Sequence, residues 1–184
     1  SDYAPGAQRT KDKGIFTSIG FTPQIIKGPR NVVMTMGSAW SDAPRLMCYC
    51  GECGHGENLA APTDKCNNCG TVLAVGGNFK VFEAATPAAY RTNFRQPEEV
   101  KENQGLRAGN PITIAMLGAL PASDVQSNCL VSGAPSDVAT FNFGTSGEGF
   151  DVYARDEGAL KEQWISVDRS ALPVGVQSRK IVLK

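Results

Sequence analysis

Two Cys-x-x-Cys-Gly units, Cys50-Gly-Glu-Cys53-Gly54 and Cys66-Asn-Asn-Cys69-Gly70, lie twelve residues apart in a chain of 184 residues. That spacing constrains the fold more than any other feature. A two-residue gap lets both sulfurs of a tight turn face one ion, and two such knuckles supply the four thiolates of a tetrahedral Zn²⁺ site. Gly54 and Gly70 follow each second cysteine, where positive φ turns backbone N–H groups back toward the sulfurs. Four soft ligands with no open position suit a structural ion rather than a hydrolytic one. Two other uses of the same residues stand beside structural zinc: a rubredoxin-type iron site, and disulfides.

Two neighbours bear on the ligand set. Cys48 either replaces Cys50 or sits on a strand entering the site, and the second reading is preferred because Cys48 falls outside the repeated pattern. His55 follows the first knuckle and reads as a residue behind the ligands or on the surface. Cys129 has no companion cysteine and reads as a small buried hydrophobe.

Balanced charge, 18 Lys+Arg against 18 Asp+Glu, argues against a protein whose main work is coating nucleic acid or an acidic membrane. At 41% apolar residues the chain can bury a core. Its longest apolar run, 112–120, is about half of what a membrane-spanning helix needs. No secretory leader or Asn-x-Ser/Thr sequon occurs, so a cytoplasmic location is expected, where clustered thiols hold metal rather than form disulfides. The chain begins at Ser1 without a Met and ends in a strand-like run, which reads as a piece of a longer protein.

β-branched and aromatic runs bounded by Gly, Pro, Asn and Asp predict strands over 14–21, 31–36, 111–120, 138–143, 150–154, 163–167 and 179–184. Residues 71–75 and 79–82 read as a hairpin turning at 76–78. A short helix is expected over 155–163, and 98–102 reads as a solvated loop. The fold class is therefore mainly β, or α+β with little helix: a β-rich module carrying an inserted zinc ribbon. The expected organisation is 48–75 as the ribbon, with 1–47 and 76–184 packing together as one domain.

Catalytic residues are not apparent. His55 is the only histidine, so triad and histidine-metal mechanisms must pass through a residue beside a knuckle. The glycine-rich stretch 144–149 has no lysine to reach a phosphate and reads as a turn. Glu148 and Asp151 read as solvated acids. Around Tyr90-Arg91-Thr92-Asn93-Phe94-Arg95, Arg91 and Arg95 flank aromatic and amide groups able to hold a phosphate and stack a base; the competing reading pairs them with Glu98 and Glu99. A second modest basic face is expected in 1–35, from Arg9, Lys11, Lys13, Lys27 and Arg30.

Tyr3-Ala-Pro-Gly6, Ile15-Phe-Thr-Ser-Ile-Gly20, the two knuckles, the Pro-x-x-Tyr-Arg-Thr-Asn-Phe segment ending at Phe94 and the closing Ile181-Val-Leu-Lys184 occur in that order. Together they resemble the C-terminal zinc-binding region of superfamily-2 DNA helicases of the MrfA and DrmB kind, which include proteins of the DISARM and Druantia anti-phage systems. The resemblance spans nearly the whole chain, although Tyr90 stands where the family more often has Gly-Phe. It implies a non-enzymatic accessory module of an ATP-dependent DNA helicase in phage defence or repair, with structural zinc at Cys50, Cys53, Cys66 and Cys69. It also implies DNA, reached through the parent helicase, and other subunits of a defence or repair complex as partners. Arg91 carries over as a structural or DNA contact. No membrane and no small-molecule substrate are expected. Two alternatives remain: a protein-interaction module that never touches DNA, and a rubredoxin-like redox protein.

Overall fold

The computed structural model describes residues 3–93, 98–99, 112–117, 124–126, 129–131, 137–166, 172 and 174–184. Apart from a 3-10 turn at Pro29–Asn31, every regular element in them is a strand. These are β1 (Gln8–Lys11), β2 (Gly14–Thr22), β3 (Gln24–Lys27), β4 (Val33–Met36), β5 (Trp40–Cys50), β6 (His55–Asn58), β7 (Phe79–Pro87), β8 (Ala89–Thr92), β9 (Glu98–Glu99), β10 (Thr113–Leu117), β11 (Asp124–Gln126), β12 (Cys129–Val131), β13 (Asp137–Phe141), β14 (Phe150–Glu157), β15 (Leu160–Ser166) and β16 (Arg179–Leu183). The mainly β expectation holds. Among the described residues no helix is long and apolar enough to cross a membrane.

One sheet closes on itself twice, giving two rings, the first and the second barrel. Its first ring runs β2–β15–β14–β16–β7 and closes because β8, just beyond β7, pairs with β2 through Phe21↔Tyr90 and Thr22↔Ala89. The second runs β16–β7–β5–β6–β10–β13 and closes through an Asn142–Leu183 bridge, with N–H···O distances of 2.8 and 3.2 Å. The parallel pair β7–β16, in register at Val182↔Ala84, belongs to both rings. Successive residues of a strand point to opposite faces, so the shared strands fill two interiors. Ala85, Ile181 and Leu183 join Phe21, Trp40, Phe150 and Val152 in the first core. Ala84 and Val182 join Met47, Ala115, Ala139, Phe141 and Phe143 in the second. Strands from before and after the cysteine segment thus build both rings, and β5 runs without a break through Cys48 into the first knuckle.

Four sequence expectations are corrected. Residues 155–163 form no helix: β14 turns at Gly158 (φ 59°) and returns as β15, because pairing such as Ala154↔Trp164 buries Gln163 and Ile165. A helix that short has little intrinsic stability to set against sheet pairing. Residues 71–75 form no strand against 79–82; Val72 instead bridges back to Lys65, leaving Leu73 and Val75 exposed. Glu98–Glu99, expected in a loop, pairs with Gly14 and Ile15 along the stretch of β2 beyond its contacts with β8. The expected strand at 31–36 starts at Val33, as the second arm of the β3–β4 hairpin, because Arg30 and Asn31 turn with φ of 59° each. The 144–149 turn joins β13 to β14 as expected, with Gly144, Gly147 and Gly149 at positive φ. Cys129 lies on β12, and its side chain is outside the described residues.

Candidate metal centre

Both knuckles are hairpin tips of the same construction. The first joins β5 to β6, where the Gly54 N–H donates to the Cys50 carbonyl at 2.8 Å. The second is held by the Lys65–Val72 bridge and the Leu73 N–H to Asp64 carbonyl bond of 2.7 Å, with the Gly70 N–H donating to the Cys66 carbonyl at 2.9 Å. Gly54 and Gly70 have φ of 71° and 77°. A side chain there would strain the turn, so the glycine at each position has a geometric cause.

The tips face each other and bring Cys50, Cys53, Cys66 and Cys69 together with all four sulfurs within 4.8 Å of one another. Cys50 and Cys69 sulfurs are 3.5 Å apart, and those of Cys53 and Cys66 are 3.8 Å apart. A tetrahedron with metal–sulfur bonds of about 2.3 Å has edges of about 3.8 Å. The observed separations therefore fit one ion coordinated by all four. The tips carry the same geometry inward: the His55 N–H faces the Cys53 sulfur, the Asn68 and Cys69 N–H groups face Cys66, and the Thr71 N–H faces Cys69.

Three of the sulfurs, Cys53, Cys66 and Cys69, differ as thiols. Burial pushes Cys53 up to about 12 and raises Cys66. Cys69 is exposed and accepts from the Thr71 hydroxyl at 3.1 Å and from its N–H, which brings it down to about 6. A bound cation would hold all four as thiolates. Soft sulfur ligands with no water position leave the cluster able to hold a metal ion and unable to present a metal-activated water.

Cys48 is fully buried on the strand entering the site and lies outside the four-sulfur group. Burial pushes its thiol up to about 11. Its register partner is Glu57, whose Oε1 is 3.9 Å from the Cys48 sulfur, 3.5 Å from His55 Nε2 and 2.6 Å from the donating Asn67 amide. Glu57 thus ties the first hairpin to the second knuckle. His55 is buried, 3% exposed, so the surface reading is replaced by a place behind the ligands. Sequence reasoning missed Glu57, Asn67 and Thr71. Glu57 could have been found from its place two residues after His55, on the same side of the returning strand.

The two arginines singled out for nucleic acid fare differently. Arg91 is 11% exposed; its guanidinium pairs with Glu157 and donates to Gln163 Oε1 at 3.3 Å, while Gln163 in turn donates to Thr22 Oγ1 at 2.8 Å. Its partner is Glu157 on the neighbouring hairpin, whereas the competing sequence reading named Glu98 and Glu99. Arg95 lies outside the described residues. Of the acids, Glu148 meets Lys180 at 2.7 Å on the surface. The chain matches no family model, no curated protein and no solved structure.

Proposed function

We propose that the four cysteines hold one Zn²⁺ and that this chain is a non-catalytic, zinc-stapled accessory module of a superfamily-2 helicase-like protein. The observation carrying the metal reading is the matched pair of knuckles with sulfur separations of 3.5 and 3.8 Å. The helicase assignment rests on the ordered resemblance of the sequence segments. Zinc would act as a folding staple: Cys50 and Cys53 anchor the tip of the β5–β6 hairpin, Cys66 and Cys69 anchor the second tip, and Glu57 and Thr71 orient ligand loops from behind. Binding energy at such sites is of order 10 kcal/mol, enough to make the ribbon's folding metal-dependent.

Within that assembly the module acts chiefly as a docking surface. Arg91 supports this reading, because a guanidinium committed to Glu157 and Gln163 has little left for a phosphate. The exposed apolar groups on the ribbon, Val72 at 64%, Leu73 at 50% and the fully exposed Val75, also fit a surface that another protein covers. Titrating the chain with single- and double-stranded DNA at several salt concentrations separates the two roles. Tight binding with a steep salt dependence establishes direct DNA contact, and its absence favours docking. A colourless protein containing zinc rather than iron removes the rubredoxin-like alternative.

A further inference from the structure

Among the described residues, β7 is paired on only one side at its start. Phe79, Lys80, Val81 and Phe82 are in register with Cys50, Tyr49, Cys48 and Met47 of β5. On the opposite side β16 is in register only with Ala84 and Ala85. Among the described residues, the outer edge of Phe79–Phe82 therefore has no strand neighbour. Alternate residues of an antiparallel strand direct their N–H and C=O groups away from the partner, so part of this backbone faces outward. A groove of about 540 Å³ lies along that edge, between the 73–77 loop leaving the second knuckle and the turn at 146–148.

The two walls differ in chemistry. Phe79 and Val81 pack toward the cysteines, and on that side the groove has a lip of exposed Leu73 and Val75. Phe82 packs toward the second barrel with Phe143, and the Lys80 ammonium sits 4.9 Å from the Phe143 ring centre. A lysine on a free edge usually keeps other strands away. Here the ammonium is folded back, donating to the Gly147 carbonyl at 2.7 Å, so it does not cover the backbone edge. Lys80 forms no ion pair among the described residues, and the ammonium retains further donors beyond that one bond. With Lys180 and Glu148 also on the groove, its wall carries one net positive charge.

We propose that this groove accepts an extended segment of a partner protein by strand addition to β7, in which acidic residues alternate with apolar ones. Backbone bonds to Phe79–Phe82 hold the segment, its apolar side chains meet Leu73 and Val75, and its carboxylates meet Lys80. Such additions take affinity from main-chain bonds and specificity from alternate side chains. One net positive charge over an apolar floor suits an acidic peptide better than a nucleic acid, whose recognition draws on several cations. The inference rests on the docking reading above and adds the partner's chemistry.

The experiment uses the full chain with its metal content measured in the same sample. The probe is a fluorescein-labelled peptide alternating Val and Glu between Gly-Ser tails, followed by fluorescence anisotropy. Its controls are a copy with alternate backbone amides N-methylated, a copy with Lys for Glu, and labelled oligothymidylate. The Glu peptide should bind with a midpoint near or below about 100 µM. N-methylation should weaken it at least about tenfold, as should Lys80→Glu, and that variant should gain affinity for the Lys peptide. Val75→Asp, at a fully exposed position where misfolding is not at issue, should weaken the Glu peptide as well. The proposal is overturned by no binding at about 1 mM, by indifference to N-methylation or to the charge exchange, or by preference for oligothymidylate. A metal-bearing chain that ignores the peptide defeats the groove alone; a metal-free chain that binds it defeats the zinc reading alone.

Discussion

Inside the second barrel, Met47, Phe141, Phe143 and Val182 close around three alanines, with Phe82, Tyr49 and Leu117 at the margins. At the ribbon, the corresponding cluster is Cys48, Cys50, Cys66 and Phe79, fringed by Cys53, Leu59 and Val81. Three of those seven side chains, Cys50, Cys53 and Cys66, belong to the four-sulfur group. The other apolar residues of the second knuckle, Val72 and Leu73, stay exposed. The barrels thus hold by burial of apolar area, at about 25 cal/mol per Å². The ribbon has little such area, and under the zinc reading proposed above it depends on coordination. Under that reading, one continuous strand, β5, carries two kinds of stability along its length: apolar packing near Met47 and metal coordination at Cys50.

The largest expected effect separates the two regions. Stripping metal with a strong chelator, or replacing Cys66 by Ser, should remove stabilisation of order 10 kcal/mol from the ribbon. Hydrogen exchange should then show loss of protection around 50–77 while the barrel strands keep theirs. Equal loss in both regions would break the distinction. Phe141→Ala, at a side chain fully buried in the second barrel, should cost about 3–5 kcal/mol of global stability. Metal stoichiometry should stay unchanged in that variant.

A smaller effect probes the closure of the first barrel. A methyl at Gly20 would sit 2.0 Å from the Trp164 carbonyl oxygen, so Gly20→Ala must push β2 from β15. The expected loss is about 1–3 kcal/mol in chemical denaturation, again with the metal retained. Cys48→Ala should cost about 1 kcal/mol and leave the bound metal per chain unaltered; a fall in metal content would make Cys48 a ligand. The smallest effect concerns Glu83, whose pKa is lowered chiefly by two hydrogen bonds of 2.6 Å from Arg179. A carboxylate depressed in the folded state adds stability above its unfolded pKa, which is lost as pH falls through the folded value. Both side chains are over a third exposed, so the effect is modest. Glu83→Gln should flatten the acid limb of the stability profile slightly.

The knuckles were legible because ligand spacing is local: two short turns with a glycine after each. Most strands were legible for a similar reason, their β-branched runs ending at turn residues. The double barrel was not. Ile181, Val182 and Leu183 are all buried, as are Ala84 and Ala85, because β16 and β7 serve two interiors and their alternation of apolar and polar residues disappears. The hairpin at 150–166 read as part helix since Ala159, Leu160, Lys161 and Glu162 favour helix locally, while the pairing with β2 that overrides them lies far away in sequence. The partners of Arg91 were missed for the same reason: Glu157 and Gln163, which engage it, are on a distant hairpin, whereas the sequence offered the nearby Glu98 and Glu99.

Metal content of the chain, measured by native mass spectrometry and confirmed by elemental analysis, tests the central claim most directly. The account predicts one zinc per 19.5 kDa chain, lost together with ribbon protection when Cys66 is replaced by Ser. A chain that carries no metal yet keeps residues 50–77 protected from exchange would contradict it.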